Sequence, residues 1–472
     1  MYFVCIFIYI FIILPKFSKN KDEKEVKYIS IQIYSKFPYE TEKIYFYENI
    51  TKNYLYSEIK LGSNEQNIEM KLDLNYYETY ILKNTLVNKQ LYTPFEANSS
   101  QTFKSFDRFY AKYNEFSSGV LSSDDLIIYN NSKNIKINNF YFAYVDNGFK
   151  SIPGSIGLSL FKKLIYPEQS MNFIDQLKSN NLINDYNFAF VFNDNNKRKN
   201  YKGDLYIGDD LDKIIPEITI KYNKTVIKSS QKALNEGGIW ALDINEIYLG
   251  NYEYKIDNGN NDINKRVQVQ FDLKYDFIMA TDEYSKMIYK VFFKNLFSSL
   301  KCFRETFVYY SYFYAVKCEK SIDIKSFPDL IFDFSSEFEK VNLILDYNDL
   351  FEIKDDFIYF KIILTWTPEE NIIINENWIF GKEFFKIFLV SFNKERKDIS
   401  IYYKEKKKIF LEENTNRKNW IFYLIIIIMI SMSGIIILLI VKFLKLKKVV
   451  KNRKRLNVLE VELTENKGNK NI

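Results

Sequence analysis

The chain has 472 residues, 18 % of them aromatic, with 14 Gly and 8 Pro; this is the composition of packed globular structure, long enough for two sizeable cores, and not of a low-complexity or disordered segment. It contains no His and three Cys, which excludes Ser-His and Cys-His hydrolytic mechanisms and leaves too few ligands for a zinc shell. The net charge of +6 does not point to nucleic acid: residues 442–472 carry ten Lys or Arg against three Glu, so everything before them sums to about −1.

Residues 1–15 hold a compact apolar run, YFVCIFIYIFIIL after the first Met, closed by Pro15. It is short for a membrane span and right for the core of a signal peptide, although the flank before it lacks a cation; an uncleaved anchor is the alternative. Residues 16–51 are charged at first and then strand-like in YISIQIYS. The stretch 56–81, YSEIKLGSNEQNIEMKLDLNYYETYI, reads as strand, tight turn, strand and one acid. Ile59 and Leu61 alternate with Glu58 and Lys60, Gly62 to Glu65 make the turn, and Ile68, Met70 and Leu72 resume the alternation. Asp73 follows at the end of that strand, where a rigid element aims it. Residues 109–128 have hairpin character around Gly119, residues 173–177 carry a short amphipathic helix signal, and FAFVF and the segment 203–208 read as strands.

About two hundred residues further on, the ending recurs: Val267, Val269 and Phe271 alternate into Asp272, and Asp272-Leu273-Lys274-Tyr275 repeats Asp73-Leu74-Asn75-Tyr76. A repeated strand-to-Asp unit predicts two related lobes, each delivering one carboxylate. Residues 283–300 have helical spacing. Cys302 and Cys318 flank an aromatic loop, and Cys5 lies in the N-terminal run. In a secreted chain such an isolated pair is most simply a disulfide, stabilising by about 3 kcal/mol in the chain-entropy model. Residues 420–441 form 22 uncharged positions, roughly 33 Å as a helix and enough to span a bilayer. Eight cations lie between Lys442 and Arg455, which places the tail 442–472 in the cytosol and the lobes in the lumen or outside the cell. The tail is either a stop-transfer signal or a holder of anionic lipid. Sequons at Asn49, Asn98, Asn130 and Asn223 are consistent with that topology.

The ordered series of these pieces, over most of 54–403, resembles the pepsin-like aspartic protease family, a mainly β, bilobal enzyme with short helices in which each lobe supplies an Asp from an Asp-Thr/Ser-Gly motif. Residues 56–81 and 378–402 align without a gap to the family's first acid segment and its closing strands, and Gly154-Ser155-Ile156-Gly157-Leu158 resembles the small-residue segment behind the first acid loop, with Trp378-Ile379-Phe380-Gly381 as its second counterpart. The resemblance implies a first lobe over 52–225, a second over 226–410, and either a prosegment or an N-terminal strand region over 16–51. It implies Asp73 and Asp272 as catalytic residues, Tyr113 as the Tyr of a flap over bound peptide, Cys302–Cys318 as the second-lobe bridge, no metal or other cofactor, and a peptide or protein in the inter-lobe cleft. The usual Gly after the flap Tyr is Asn114, and at both acid sites the Thr and the Gly are missing.

Those losses bear on the chemistry. Two close carboxylates share one proton; the ionised one takes a proton from water while the protonated one polarises a peptide carbonyl. The hydroxyls that would link the loops are Leu74 and Leu273, the glycines are Asn75 and Lys274, and the small hydroxyl residues are Tyr76 and Tyr275. An inward Lys274 would disfavour a shared proton. Symmetric Leu residues, packed where hydroxyls once bonded, would keep the acids adjacent. Two functions follow as expectations, a membrane-anchored aspartic endopeptidase with an unusual acid pair or an inactive relative that binds peptide or a protein partner in the cleft, with a structural surface protein that makes no use of the cleft as a weaker third.

Overall fold

The computed structural model describes residues 26–35, 54–404 except 88, 90–91, 110–115, 131–132, 149–152, 161–169, 194–200, 251, 255–266, 308–309, 335–340 and 366–375, and 439–447 except 446. Period-two alternation builds most of it. Strand β1 (Gln66–Asp73) buries Ile68, Met70 and Leu72 and pairs with Leu55–Leu61 in a hairpin that sets Ile59 opposite Ile68. The turn between them needs Gly62, whose φ is +84° and whose added Cβ would lie 2.8 Å from Ser100 Oγ.

After Asp73 the chain loops back as β2 (Tyr80–Leu82), continues through the long β3 (Lys133–Gly148), and inserts β4 (Gly154–Gly157) between β1 and β2. β4 is parallel to β1, with Asp73 opposite Gly157, and antiparallel to β2, while β2 is parallel to β3. The construction recurs with β5 (Gln268–Phe271), β6 (Ile278–Met279), β7 (Ile362–Thr365) and β8 (Trp378–Phe380). The order β5-β8-β6-β7 reproduces β1-β4-β2-β3, with the same strand directions. Even the register agrees. Tyr80 stands between Ser155 and Ala143, and Met279, displaced from it as Asp272 is from Asp73, stands between Ile379 and Ile363.

The first repeat belongs to a thirteen-stranded sheet and the second to a nine-stranded one, with a further four-stranded sheet that contains Glu246–Leu249. Ile29–Ser35 is an integral strand of the large sheet, between Lys202–Ile207 and Leu55–Leu61. The closing strands Leu389–Asn393 and Asp398–Tyr403 also lie there, against Asn187–Phe192 and Asn223–Lys228. The end of the 226–410 region therefore returns to the sheet of the first repeat. Phe392 fixes that return by stacking on Phe188 at 5.0 Å and meeting Trp240 at 4.9 Å, contacts worth about 0.5–1.5 kcal/mol each beyond their burial.

Helices are short. α1 (Phe173–Ser179) is capped by Asn172, α2 (Asp282–Ile288) by Thr281, and α3 (Lys382–Ile387) starts after Gly381. The fold is mainly β with short helices. Cys302 and Cys318 face each other across the hairpin Cys302–Phe307/Tyr310–Glu319 and form a disulfide. Of a second unit, residues 439–445 and 447 are described and are helical. Residues 1–15 and 420–438 lie outside the described residues, so the expected signal peptide and most of the expected membrane span do too; among the described residues no helix is long and apolar enough to cross a membrane.

Candidate active site

Each acid leaves the end of a central strand at the place where the inserted strand passes beside it. Gly157 and Gly381 make that passage possible. A Cβ on Gly157 would lie 2.5 Å from the Glu78 carbonyl oxygen, and one on Gly381 would lie 2.4 Å from that of Phe277. Leu158 N–H donates to the Asp73 carbonyl at 2.8 Å, and Asp272 N–H donates to the Phe380 carbonyl at 3.2 Å. Behind the second acid, Phe271 packs edge-on against Phe380, Phe384, Phe385 and Phe392, so the end of β5 sits on a fixed aromatic layer.

The turns after the acids are alike. Asn75 N–H donates to Asp73 Oδ1 at 2.9 Å, and Lys274 N–H donates to Asp272 Oδ1 at 2.8 Å. Neither residue has a positive φ, so neither turn requires the glycine of the resembled family. Leu74 and Leu273 are both buried and belong to one continuous hydrophobic cluster. The Asn75 side chain reaches from the first loop to the Asp272 carboxylate, and Asp272 also feels the charge of Asp73. The two acids are thus brought together. Burial first, and the Asp73 charge second, push Asp272 up to about 6, against the opposing pull of the Lys274 amide and ammonium and the Asn75 side chain.

The residue that sequence reasoning missed is Lys71. Its side chain is 8 % exposed, and its Nζ lies 2.7 Å from Asp73 Oδ2. The ammonium also sits over the rings of Tyr54, at 4.7 Å, and Tyr76, at 5.6 Å. Burial alone would lower its pKa; attraction to Tyr80, Asp73 and Tyr54 outweighs this and holds it well above the ordinary lysine value. Each oxygen of Asp73 is therefore engaged, Oδ1 by the Asn75 amide and Oδ2 by Lys71. Lys274, the cation that the sequence singles out, instead lies over the Tyr275 ring at 5.9 Å, though its charge still reaches Asp272. The signal for Lys71 was present: residues i and i+2 of a strand share a face, so Lys71 had to point where Asp73 points.

The second loop has its own buried lysine. Lys382 is fully buried; its Nζ donates to the Leu273 carbonyl at 2.8 Å and pairs with Asp276 at 2.8 Å. Burial lowers its pKa, and Asp276 and Asp272 counter this in part. It braces the loop from behind. Trp240, at the entry to the second repeat, donates its Nε1–H to the Leu158 carbonyl at 2.8 Å and so ties the repeats together beside the acids.

Tyr113 lies outside the described residues. The strands that flank it, Lys104–Phe109 and Phe116–Asn130, pair antiparallel as a hairpin. A cavity of about 500 Å³ lined by Ile31, Tyr34, Glu58, Tyr129, Asn130 and Lys133 contains neither acid loop, and it has no part in this chemistry. Among the described residues no cluster of acidic or Cys side chains could hold a metal ion. Compared with known proteins, the chain matches no family model and no curated protein.

Proposed function

We propose that this chain is a membrane-anchored, aspartic-protease-like protein of the bilobal pepsin type, which takes an extended peptide into the cleft between its lobes, across Asp73 and Asp272. The observation that carries the reading is the repeated four-strand unit, which delivers one acid from each repeat to a common place with the same turn around each carboxylate. The expected uncharged run 420–441 and the cationic tail 442–472 support a single membrane anchor with the lobes luminal or extracellular, and Asn98 and Asn223 are exposed as that topology asks of sequons.

Such a pair serves a peptide in one of two ways. It hydrolyses, if one carboxylate is free to take a proton from water while the other donates to the scissile carbonyl. Or it is the polar floor of a binding cleft. The Lys71–Asp73 ion pair favours binding without hydrolysis, because the oxygen that would take the proton of water is held by an ammonium. The test is to incubate the full chain, in detergent micelles, with a broad peptide library between about pH 3.5 and 7, beside Asp73→Asn and Asp272→Asn, and to score retained and cleaved peptide separately. Retention without products is expected. Cleavage lost in both variants would make hydrolysis the function, and no retention by any form would remove the cleft reading.

A further inference from the structure

The two repeats are built to one plan, so a residue that differs between them at a matched position is a choice that the backbone does not impose. Two positions before Asp73 stands Lys71; two positions before Asp272 stands Gln270. The strand unit forms with a neutral residue there, so the backbone pairing does not require a lysine. It is also expensive: a buried ammonium needs compensation, and here Asp73 and the rings of Tyr54 and Tyr76 supply it, with Tyr80 adding attraction.

Charge counting shows what the lysine does. A pair of carboxylates close together favours a single shared proton, for a combined charge of −1. Lys71 places a fixed positive charge 2.7 Å from Asp73 Oδ2, where an acid pair would otherwise hold its shared proton. Lys274, Lys382 and the Asn75 amide also face Asp272, and the cation paired with Asp73 Oδ2 is Lys71. We propose that Lys71 is a built-in cation that stands in for the shared proton of the acid pair, that it alone keeps the cleft from cutting the peptide it binds, and that an uncharged residue in its place releases hydrolysis. The inference rests on the reading that the cleft takes a peptide.

The released reaction balances with water as the only co-reactant. Asp73 Oδ2, freed of the ammonium, accepts a proton from water as the water oxygen bonds to the scissile carbonyl carbon. Asp272 gives its proton to the carbonyl oxygen, which takes up the C=O π pair. Collapse of the resulting diol breaks the C–N bond, Asp73 passes its proton to the leaving nitrogen, and a diol proton returns to Asp272. In the wild-type site the oxygen that takes the proton in the first of these steps, Asp73 Oδ2, is held by Lys71.

The experiment compares the full chain in micelles as wild type, Lys71→Gln (copying the second repeat), Lys71→Met, Lys71→Arg, and Lys71→Gln combined with Asp272→Asn. Binding of a statine-containing peptide, whose hydroxyl occupies the place of the attacking water, and cleavage of a peptide library by mass spectrometry are read in parallel. Lys71→Gln and Lys71→Met should bind the statine peptide more tightly than wild type and should cleave at least about 100-fold faster, the contribution of a working acid–base group. Lys71→Arg should stay silent, and Asp272→Asn should abolish the gained activity. Peptide binding by all forms without cleavage by either uncharged variant, or cleavage by wild type as fast as theirs, would overturn this inference and leave the cleft reading standing. Absence of binding in every form would overturn both.

Discussion

The acid loops of the two repeats have the same backbone and opposite electrostatics. In the first, the buried lysine comes from the strand that carries the acid, and its ammonium meets the carboxylate itself. In the second, the buried lysine comes from the residue after Gly381, and it binds the back of the loop, at Asp276 and the Leu273 carbonyl. Leu158 holds the place of Lys382 in the first repeat and Gln270 the place of Lys71 in the second. A cation in front of an acid decides what the acid can do; a cation behind it decides where the acid sits. The pair is thereby made unequal, with Asp73 ion-paired and Asp272 pushed up to about 6.

The largest effect of removing either buried lysine is expected at Lys382. Lys382→Met removes the partner of a buried Asp276 and should cost about 3–5 kcal/mol, the usual penalty for half of a buried ion pair, read as a lower midpoint in chemical denaturation. A loss under about 1 kcal/mol would mean that Lys382 does not brace the loop.

A smaller effect follows from Asp272. Its folded-state pKa lies above the ordinary carboxylate value, so the folded chain holds the proton more tightly than the unfolded chain does. The stability this contributes is complete below about pH 4 and is lost as pH rises through about 6, amounting to about 3 kcal/mol. Denaturation midpoints of wild type and Asp272→Asn should therefore diverge between these limits, with the wild type falling more steeply as pH rises. Parallel profiles would contradict the placement of Asp272.

Much of this arrangement was legible in the sequence, and the rest failed for identifiable reasons. The strand-to-acid repeat could be read because alternation marks a half-buried strand and the matching tetrapeptides mark its end. A lysine in an alternating strand passes for its solvent-facing half, which hides Lys71, although its spacing from Asp73 puts both on one face. Asn75 and Lys274 stand where the resembled family has glycine, yet each amide still reaches the Asp side chain two residues earlier, with no positive φ at either position. Lys382 gave no local signal, since its partners Leu273 and Asp276 lie more than a hundred residues earlier in the chain. The return of Leu389–Tyr403 to the first sheet is likewise a matter of distant pairing, set by Phe392 against Phe188 and Trp240.

Everything above depends on Asp73 and Asp272, from different repeats, sharing one site. Selective carbon labelling of aspartate side chains in the full chain allows the Asp272 carboxyl to be titrated by NMR, in wild type and in Asp73→Asn. Wild type should titrate with a midpoint of about 6, and Asp73→Asn clearly lower, since the opposing charge is gone and Lys71 remains. A midpoint of about 4 that does not respond to Asp73→Asn would mean that the two acids do not share a site.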